Sequence, residues 1–414
     1  MSKQISSLAT GFNGMFSKIV GLLFTFILLV SFSGCSTPGE DGLALNQSME
    51  PGAGVDTQAV PTVTAVAADT VILLPTGTQI ATLEPQTPSQ TASPTSTITT
   101  TPTQTEITFE VGEEITIQYL QQLEINGSEI TFEQQLADRS NYHQHLVSYL
   151  SEGNKIYGLL TIPFGEPSEG GFKAIVFNHG YIPPTAYRTT ERYTAYVDYL
   201  ARNGFVVFKI DYRGHGQSQG EPSGSYFSPG YTIDAITALK SLQTLDFIDP
   251  QGIGMWGHSM AGNLVLRAML VEPQVKAGVI WAGAVYSYDD FAQYGITDNT
   301  YRPPATPETE QTPSPRRRSQ QIFEVYGRPD TSVEFWRAVS LTENIQYLNN
   351  PLQLHHALDD NVVNVAYSID LAAVLQENGK EYSLFTYEGG GHNLTSPYFE
   401  QAMQRTVEFF RENL

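Results

Sequence analysis

Apolar residues recur with two periodicities along the second half of the chain. Short continuous apolar runs are typical of strands buried in a sheet, and spacings of three and four residues are typical of helices with one buried face. The strands are predicted at 145–153, 154–164, 173–178, 205–211, 252–257, 277–284, 351–358 and 382–387, and helices at 189–203, 229–244 and 260–271. The alternation of strands and helices predicts an α/β fold with a mainly parallel sheet covered on both faces.

The alternation defines one domain at 142–414 with an interruption inside it. About 270 residues are ample for a single core of this kind. Between about 285 and 350 the regular pattern stops, and the segment is rich in aromatic residues and prolines, with an Arg-Arg-Arg run at 316–318. We expect this insertion to lie over the sheet as a lid. Its aromatic residues either line a substrate pocket or pack the lid onto the body.

The first 35 residues have the pattern of an export signal. A polar leader with two lysines precedes an apolar run at 19–32, which is too short for a comfortable membrane span and suits a signal-peptide core. The end of the run, Phe32, is followed by Ser33, Gly34 and Cys35, and these four residues resemble a bacterial lipobox, although Phe32 stands where leucine is usual. We therefore expect lipidation of Cys35 and an extracytoplasmic protein anchored to the membrane. An ordinary signal peptide, which would give a secreted protein, and a single anchor helix are the alternatives.

Two segments of different composition follow. Residues 36–105 contain no Lys or Arg and are rich in Thr, Pro, Ser and Gln, so they cannot bury enough apolar surface to fold and are predicted to be a disordered tether. Residues 106–141 contain short alternating runs, such as the one at 114–119, that predict a small β element beside the main domain.

Charge and cysteine content limit the partners. The net charge is −21, and no Lys or Arg occurs between residues 19 and 138. Nucleic-acid binding needs basic surface, so the chain is not expected to bind nucleic acid. Cys35 is the only cysteine, so the mature protein is expected to fold without disulfides.

A serine between small residues lies where a predicted strand meets a predicted helix. Gly257 and Ala261 stand two residues before and two after Ser259. A nucleophile at the tip of a strand-to-helix turn needs small neighbours at those positions, because the helix starts close behind it. Such a five-residue pattern also occurs by chance in ordinary loops, so the assignment depends on partner residues.

Candidate partners follow in the chain order Ser, Asp, His that this type of site uses. Asp359 and Asp360 follow the strand predicted at 351–358, and His392 follows the strand at 382–387 on a glycine-rich loop. The histidine is predicted to be the base and one of the two carboxylates to orient it. The four histidines His215, His258, His355 and His356 are expected to be structural.

An oxyanion that forms on a substrate carbonyl needs two backbone N–H donors. The strand at 173–178 ends in Asn-His-Gly-Tyr at 178–181. A His-Gly pair after this strand is typical of the loop that supplies one donor. We predict Tyr181 N–H and Met260 N–H as the donors, and no metal or other cofactor is needed for such chemistry.

These motifs together resemble the α/β-hydrolase superfamily, and within it the prolyl-oligopeptidase-like and dienelactone-hydrolase-like serine hydrolases. The resemblance is carried by 177–181, the Asp-Tyr-Arg-Gly-His-Gly-Gln-Ser run at 211–218, 257–262, 356–362 and 391–392. In that family the acid is the first residue of an Asp-x-x-Val pattern, and this implies Asp359 rather than Asp360.

The resemblance leaves the substrate open between an ester and a peptide. Exopeptidases of the family carry a β-propeller before the hydrolase domain, and the segment between Cys35 and residue 142 has no repeats of blade length. A carboxylesterase is therefore expected first, with a prolyl-oligopeptidase-type peptidase or amidase as the alternative. A non-catalytic surface binding module is the third hypothesis, and it is disfavoured because every catalytic position is filled.

Overall fold

The computed structural model describes residues 108–284, 286–295 and 315–414, with only the backbone described at 315–317. The predicted signal peptide with Cys35 and the tether at 36–105 lie outside the described residues, as does part of the predicted lid. None of the helices in the described ranges is long and apolar enough to cross a membrane.

Nine strands of the described chain form one sheet in the order β1-β2-β3-β5-β4-β6-β7-β8-β9. The strands are β1 Thr131–Gln135, β2 Tyr142–Ser151, β3 Asn154–Pro163, β4 Phe172–Asn178, β5 Val206–Ile210, β6 Ile248–His258, β7 Gly278–Trp281, β8 Leu352–Ala357 and β9 Tyr382–Tyr387. The pairs formed by β1, β2, β3 and β5 are antiparallel, and every pair from β5 to β9 is parallel. The mainly parallel sheet is therefore confirmed, and the adjacent strands predicted at 145–153 and 154–164 pair as an antiparallel hairpin.

Helices follow most of the parallel strands. They are α1 Ile117–Gln122, α2 Thr194–Arg202, α3 Gly230–Leu242, α4 Met260–Val271, α5 Tyr288–Tyr294, α6 Pro315–Tyr326, α7 Glu334–Val339, α8 Ala366–Glu377 and α9 Tyr398–Asn413. The helices predicted at 189–203, 229–244 and 260–271 correspond to α2, α3 and α4.

Alternate residues of β4 pack into two different hydrophobic clusters. Ala174 and Val176 pack in a cluster with α3, α4 and α8, whereas Ile175 and Phe177 pack in a second cluster with α2 and α9. Since successive side chains of a strand point to opposite faces, the two clusters lie on the two sides of the sheet. Both faces are thus covered by helices, as a buried parallel sheet requires.

The prediction for residues 106–141 is partly wrong. The alternating run at 114–119 is helical, because the Thr116 side chain accepts a hydrogen bond from Tyr119 N (3.3 Å) and caps α1, which buries Ile117 and Leu120. Further along, β1 pairs with β2 and extends the main sheet, so it is an edge strand of that sheet.

The described part of the insertion forms a small core of its own. Ile322 of α6 and Phe335, Trp336 and Val339 of α7 are buried together with Ile115, which comes from the segment before α1. The Phe109 ring lies 5.2 Å from that of Phe335. The start of the described chain therefore packs against the insertion and holds its helices.

Candidate active site

Ser259 occupies the sharp turn between β6 and α4. β6 ends at His258 and α4 begins at Met260, and Ser259 between them has φ 57° and ψ −119°. A non-glycine residue in this region of backbone space is strained, and such strain persists where the surrounding structure enforces it. The serine stands at the tip of the turn, as expected for an exposed nucleophile.

The small neighbours of Ser259 are required by close packing. A Cβ atom at Gly257 would lie 2.7 Å from the carbonyl oxygen of Ala261, and one at Gly262 would lie 2.6 Å from the Tyr286 hydroxyl oxygen. Contacts this short cannot be relieved at Gly257 without moving the helix backbone. The helix does start close behind the serine, as expected from the small residues of the motif.

The sheet brings the predicted partner loops to one edge. β8 and β9 are parallel neighbours with Ala357 opposite Tyr387, so the loops that carry the aspartates and His392 leave the sheet side by side. β4 is a parallel neighbour of β6 with Asn178 opposite Gly257, which places the predicted oxyanion loop beside Ser259. All of these loops follow carboxyl ends of strands, where sites in parallel sheets are built.

The carboxylate that contacts His392 is Asp360, so the choice of Asp359 as the orienting acid is wrong for this structure. Asp360 Oδ2 lies 2.8 Å from His392 Nδ1, and the Asp360 side chain is completely buried. Asp359 is exposed and accepts a hydrogen bond from Gly391 N (2.8 Å). The Asp-x-x-Val pattern fits the chain in two registers, since valines occupy both 362 and 363, and only the turn geometry separates them.

The turn itself orients Asp360. Its Oδ1 accepts hydrogen bonds from Val362 N (2.8 Å) and Val363 N (3.0 Å), which leaves Oδ2 directed towards His392. Burial raises the pKa of Asp360, but hydrogen bonds from His356 and His392 outweigh it and hold the pKa well below its usual value. Asp360 is therefore ionised at neutral pH and fixes the proton of His392 on Nδ1.

His356 contacts the same carboxylate oxygen from β8. Its Nε2 lies 3.1 Å from Asp360 Oδ2 and 2.9 Å from the Val363 carbonyl oxygen, and both atoms are acceptors. Nε2 must then carry the proton, and Nδ1 lies 2.8 Å from the Ser368 hydroxyl. The expectation that His356 is structural agrees with this position, and its structural task is to hold Asp360.

His258 connects the loop of His392 to the serine turn. Its Nε2 lies 2.8 Å from the His392 carbonyl oxygen, which can only accept, so Nε2 is the donor. The centroids of the two imidazole rings are 4.6 Å apart. Burial, together with the nearby His392, lowers the pKa of His258 to about 3, so His258 is neutral and its Nδ1 is an acceptor. His392 is thus tied to the residue that precedes Ser259.

The same histidine also connects to the predicted oxyanion loop. Tyr193 donates its hydroxyl proton to His258 Nδ1 (2.8 Å) and accepts a hydrogen bond from Gly180 N (3.0 Å). A Cβ atom at Gly180 would lie 2.8 Å from the Tyr193 hydroxyl oxygen, so only glycine fits there. One directed chain of hydrogen bonds therefore runs from Gly180 through Tyr193 and His258 to His392, and Tyr193 is a positioning residue that the sequence reasoning missed.

The two predicted oxyanion donors lie at the expected places in the fold. Met260 is the first residue of α4, where a backbone N–H has no carbonyl four residues earlier within the helix. Tyr181 follows β4 directly after Gly180, and its side chain is exposed. The loop is held by His179, which is buried between the rings of Tyr187 and Tyr212, each with its centroid 4.4 Å away. Within the described ranges, no group of acidic, histidine or cysteine side chains is arranged to hold a metal ion.

The site and the sheet together define a serine hydrolase domain of the α/β-hydrolase fold. The defining features are the strained serine at a strand-to-helix turn, the histidine ordered by a buried carboxylate, and the order of the nine strands in the sheet. The model of the prolyl oligopeptidase family matches residues 191–414, and the chain belongs to that family.

Individual relatives are similar in sequence to parts of this chain. An uncharacterized 31.7 kDa protein of Escherichia coli is 37% identical over 73 residues, which cover 18% of this chain and 25% of that protein. Human protein ABHD12B is 25% identical over 236 residues, which cover 54% of this chain and 57% of that protein. This chain therefore matches between a quarter and somewhat over half of the length of these relatives.

A solved structure of similar fold is the acetyl xylan esterase from Paenibacillus sp. R4. It has a TM-score of 0.52 and 18% sequence identity, and the match covers 72% of this chain and 92% of that one. At this identity the likeness concerns the fold.

Proposed function

We propose that the protein hydrolyses carboxylic esters by acyl transfer to Ser259. The observation that supports this most is the hydrogen-bonded arrangement of Asp360, His392 and His258 around the strained serine turn. His392 accepts the serine proton as the hydroxyl oxygen attacks the substrate carbonyl, and ionised Asp360 stabilises the imidazolium that forms. The N–H groups of Met260 and Tyr181 bind the oxyanion.

The second half of the reaction reverses the proton transfers. His392 gives its proton to the leaving alcohol, which departs and leaves an acyl group on Ser259. His392 then takes a proton from water as that water attacks the acyl-enzyme. It returns this proton to the serine oxygen as the tetrahedral intermediate collapses, which releases the acid and restores the serine hydroxyl. Neither a metal nor a redox cofactor takes part in these steps.

The charges in the cavity beside α4 favour an ester over a peptide with a free amine. The described side chains that line the cavity beside α4 include Arg267 and Arg328 and no Asp or Glu. A cationic substrate amine would meet like charge there, which costs binding energy. The peptidase alternative is supported by the family of the matched model, so both bond types belong in the test.

The test compares ester and amide hydrolysis in the full chain and in Ser259→Ala. We expect turnover of a nitrophenyl butyrate to exceed that of aminoacyl and prolyl nitroanilides, and to fall by about 10³-fold or more in Ser259→Ala. Faster cleavage of the nitroanilides would assign the peptidase function. Undiminished ester turnover in Ser259→Ala would exclude Ser259 as the nucleophile.

We also propose that the enzyme acts outside the cytoplasm on a lipid anchor at Cys35. The support is the apolar run at 19–32 followed by the lipobox-like residues and the Thr- and Pro-rich segment at 36–105. Metabolic labelling with an alkynyl fatty acid in a bacterial host should tag the wild type and not Cys35→Ser, which should appear in the soluble extracytoplasmic fraction. Labelling that persists in Cys35→Ser would overturn the anchor.

A further inference from the structure

A cavity lies between α4 and the described part of the insertion. Its volume is about 470 Å³, and its walls are mostly aromatic. The aromatic lining residues are Tyr226, Phe227, Tyr286, Tyr288, Phe291 and Phe323. A space of this size holds a medium-sized organic group, and its aromatic walls favour an apolar body.

One wall of the cavity carries a buried guanidinium group. Arg267 is 2% exposed and donates from Nη1 to the Ser225 carbonyl (2.6 Å) and from Nη2 to the Tyr226 carbonyl (3.2 Å). Its Nε is buried without a hydrogen-bond partner among the described residues. A buried cation is costly unless a counter-charge is present, and the hydrogen-bond acceptors that the described residues give this one are neutral backbone oxygens.

The positive charge at this wall is maintained at neutral pH. Burial lowers the pKa of Arg267 to about 10, which still leaves the group protonated. A second guanidinium, that of Arg328, also lines the cavity, and none of the described lining residues is acidic. The cavity thus combines an apolar body with a cationic end, and its described lining residues supply no counter-ion.

The cavity lies along α4, the helix that begins directly after Ser259, and both Asn263 and Arg267 of that helix line it. Asn263 and Arg267 follow Ser259 by four and eight residues, so the three lie on the same side of the helix. Eight residues of helix correspond to about 12 Å along the axis. Tyr286, which lines the cavity, packs against Gly262 and has a buried hydroxyl without a hydrogen-bond partner among the described residues.

We infer that this cavity is the acyl-binding subsite and selects esters whose acyl group ends in a carboxylate, with Arg267 as the residue that determines this specificity. The inference rests on the proposed ester hydrolysis. The apolar part of the acyl chain packs among the aromatic rings, and the terminal carboxylate supplies the counter-charge for the guanidinium. The carbonyl at the other end of the chain is then held at Ser259.

The test uses a pair of substrates with the same shape and different charge. The nitrophenyl monoester of adipic acid ends in a carboxylate, and the matched branched alkanoyl ester ends in an isopropyl group. We expect wild-type kcat/KM to favour the adipoyl ester by about tenfold or more, the scale of one buried hydrogen bond to a charged group. Free adipate should inhibit hydrolysis, and neutral adipamide should not.

Two variants assign the effect to Arg267. Arg267→Gln should reduce the preference to about twofold or less. The control Arg337→Gln removes another arginine that donates to backbone carbonyls, those of Thr331 and Ser332, and that does not line the cavity, so it should keep the wild-type preference.

The outcomes separate this inference from the proposed function. If the wild type hydrolyses both esters equally or prefers the neutral one, the subsite inference is overturned and the ester hydrolase remains. If neither these two esters nor nitrophenyl butyrate is hydrolysed, the proposed function itself is wrong, and cleavage of the butyrate alone overturns only the subsite. The substrate pair and the adipate inhibition both use the wild type, so the inference stays testable even where Arg267→Gln does not fold, as loss of its loop contacts could cause.

Discussion

At the residue scale, the sequence does not distinguish which of two adjacent aspartates orients the histidine. Ser259 and His392 could be predicted because each follows its own strand in a distinctive local context. Asp359 and Asp360 share one turn, and which carboxylate faces the histidine depends on Asp360 accepting the N–H groups of Val362 and Val363. Backbone geometry therefore decides which carboxylate contacts His392, because both positions are occupied by aspartate.

The pair gives a sharp prediction. Asp360→Asn should lower kcat for ester hydrolysis by about 10³- to 10⁴-fold, because the amide cannot hold His392 in the reactive tautomer. Asp359→Asn, the matched control one residue away, should change kcat by less than about tenfold. Steady-state rates of the two purified variants decide the question, and a larger loss in Asp359→Asn would return the acid role to Asp359.

The hydrogen-bond chain through Tyr193 gives a second residue-level prediction. Tyr193→Phe removes both the acceptor for Gly180 N and the donor to His258, at a cost of about 1–3 kcal/mol for the groups left unpaired. We expect kcat to fall by about 10- to 100-fold with KM nearly unchanged. Tyr142→Phe, which removes a hydroxyl bonded to Asp198 elsewhere on the sheet, should leave both constants unchanged. Equal changes of kcat in Tyr193→Phe and Tyr142→Phe would show that the Tyr193 hydroxyl acts only on stability.

At the element scale, most strands and helices of the parallel sheet could be predicted because their apolar runs are long and regular. The alternation at 114–119 predicts a strand where the structure has a capped helix, since alternation over six residues fits both. The capping contact of Thr116 with Tyr119 decides the local structure there, and burial of Ile117 and Leu120 stabilises it. Short segments carry too little periodicity to distinguish the two.

Strand β8 gives a prediction about pH. His355 is fully buried in β8, and burial, with a smaller effect from Arg405, lowers its pKa to about 3. The unfolded chain takes up a proton near the ordinary pKa of about 6.5 while the folded chain does not, so this contribution to stability is complete above that pH and is lost as pH falls towards 3. The limiting slope is about 1.4 kcal/mol per pH unit.

Urea unfolding at pH 7 and pH 5 measures this contribution. The free energy of unfolding of the wild type should fall more between pH 7 and pH 5 than that of His355→Gln. The variant should be less stable at both pH values, because the hydrogen bonds to Gln353 and Tyr387 are lost. An identical pH dependence in the two proteins would show that His355 does not carry the effect.

At the scale of the whole molecule, the contacts between distant segments could not be predicted from the sequence. Phe109 packs on Phe335 across more than two hundred residues, and the segment before α1 thereby holds the helices of the insertion. His258 is a similar case at the site, because its bonds to Tyr193 and to the His392 carbonyl join three loops that are far apart in the chain. The contacts of His258 follow from the strand order, which places those loops at one edge of the sheet.

The central claim is that this assembly makes Ser259 a nucleophile, and covalent labelling tests it most directly. Intact-mass analysis after treatment with a fluorophosphonate should show one adduct per chain in the wild type, located by peptide mapping on Ser259. The adduct should be absent from Ser259→Ala and form much more slowly in His392→Ala. A folded wild-type protein that forms no adduct, or a Ser259→Ala variant that labels as readily as the wild type, would contradict the account.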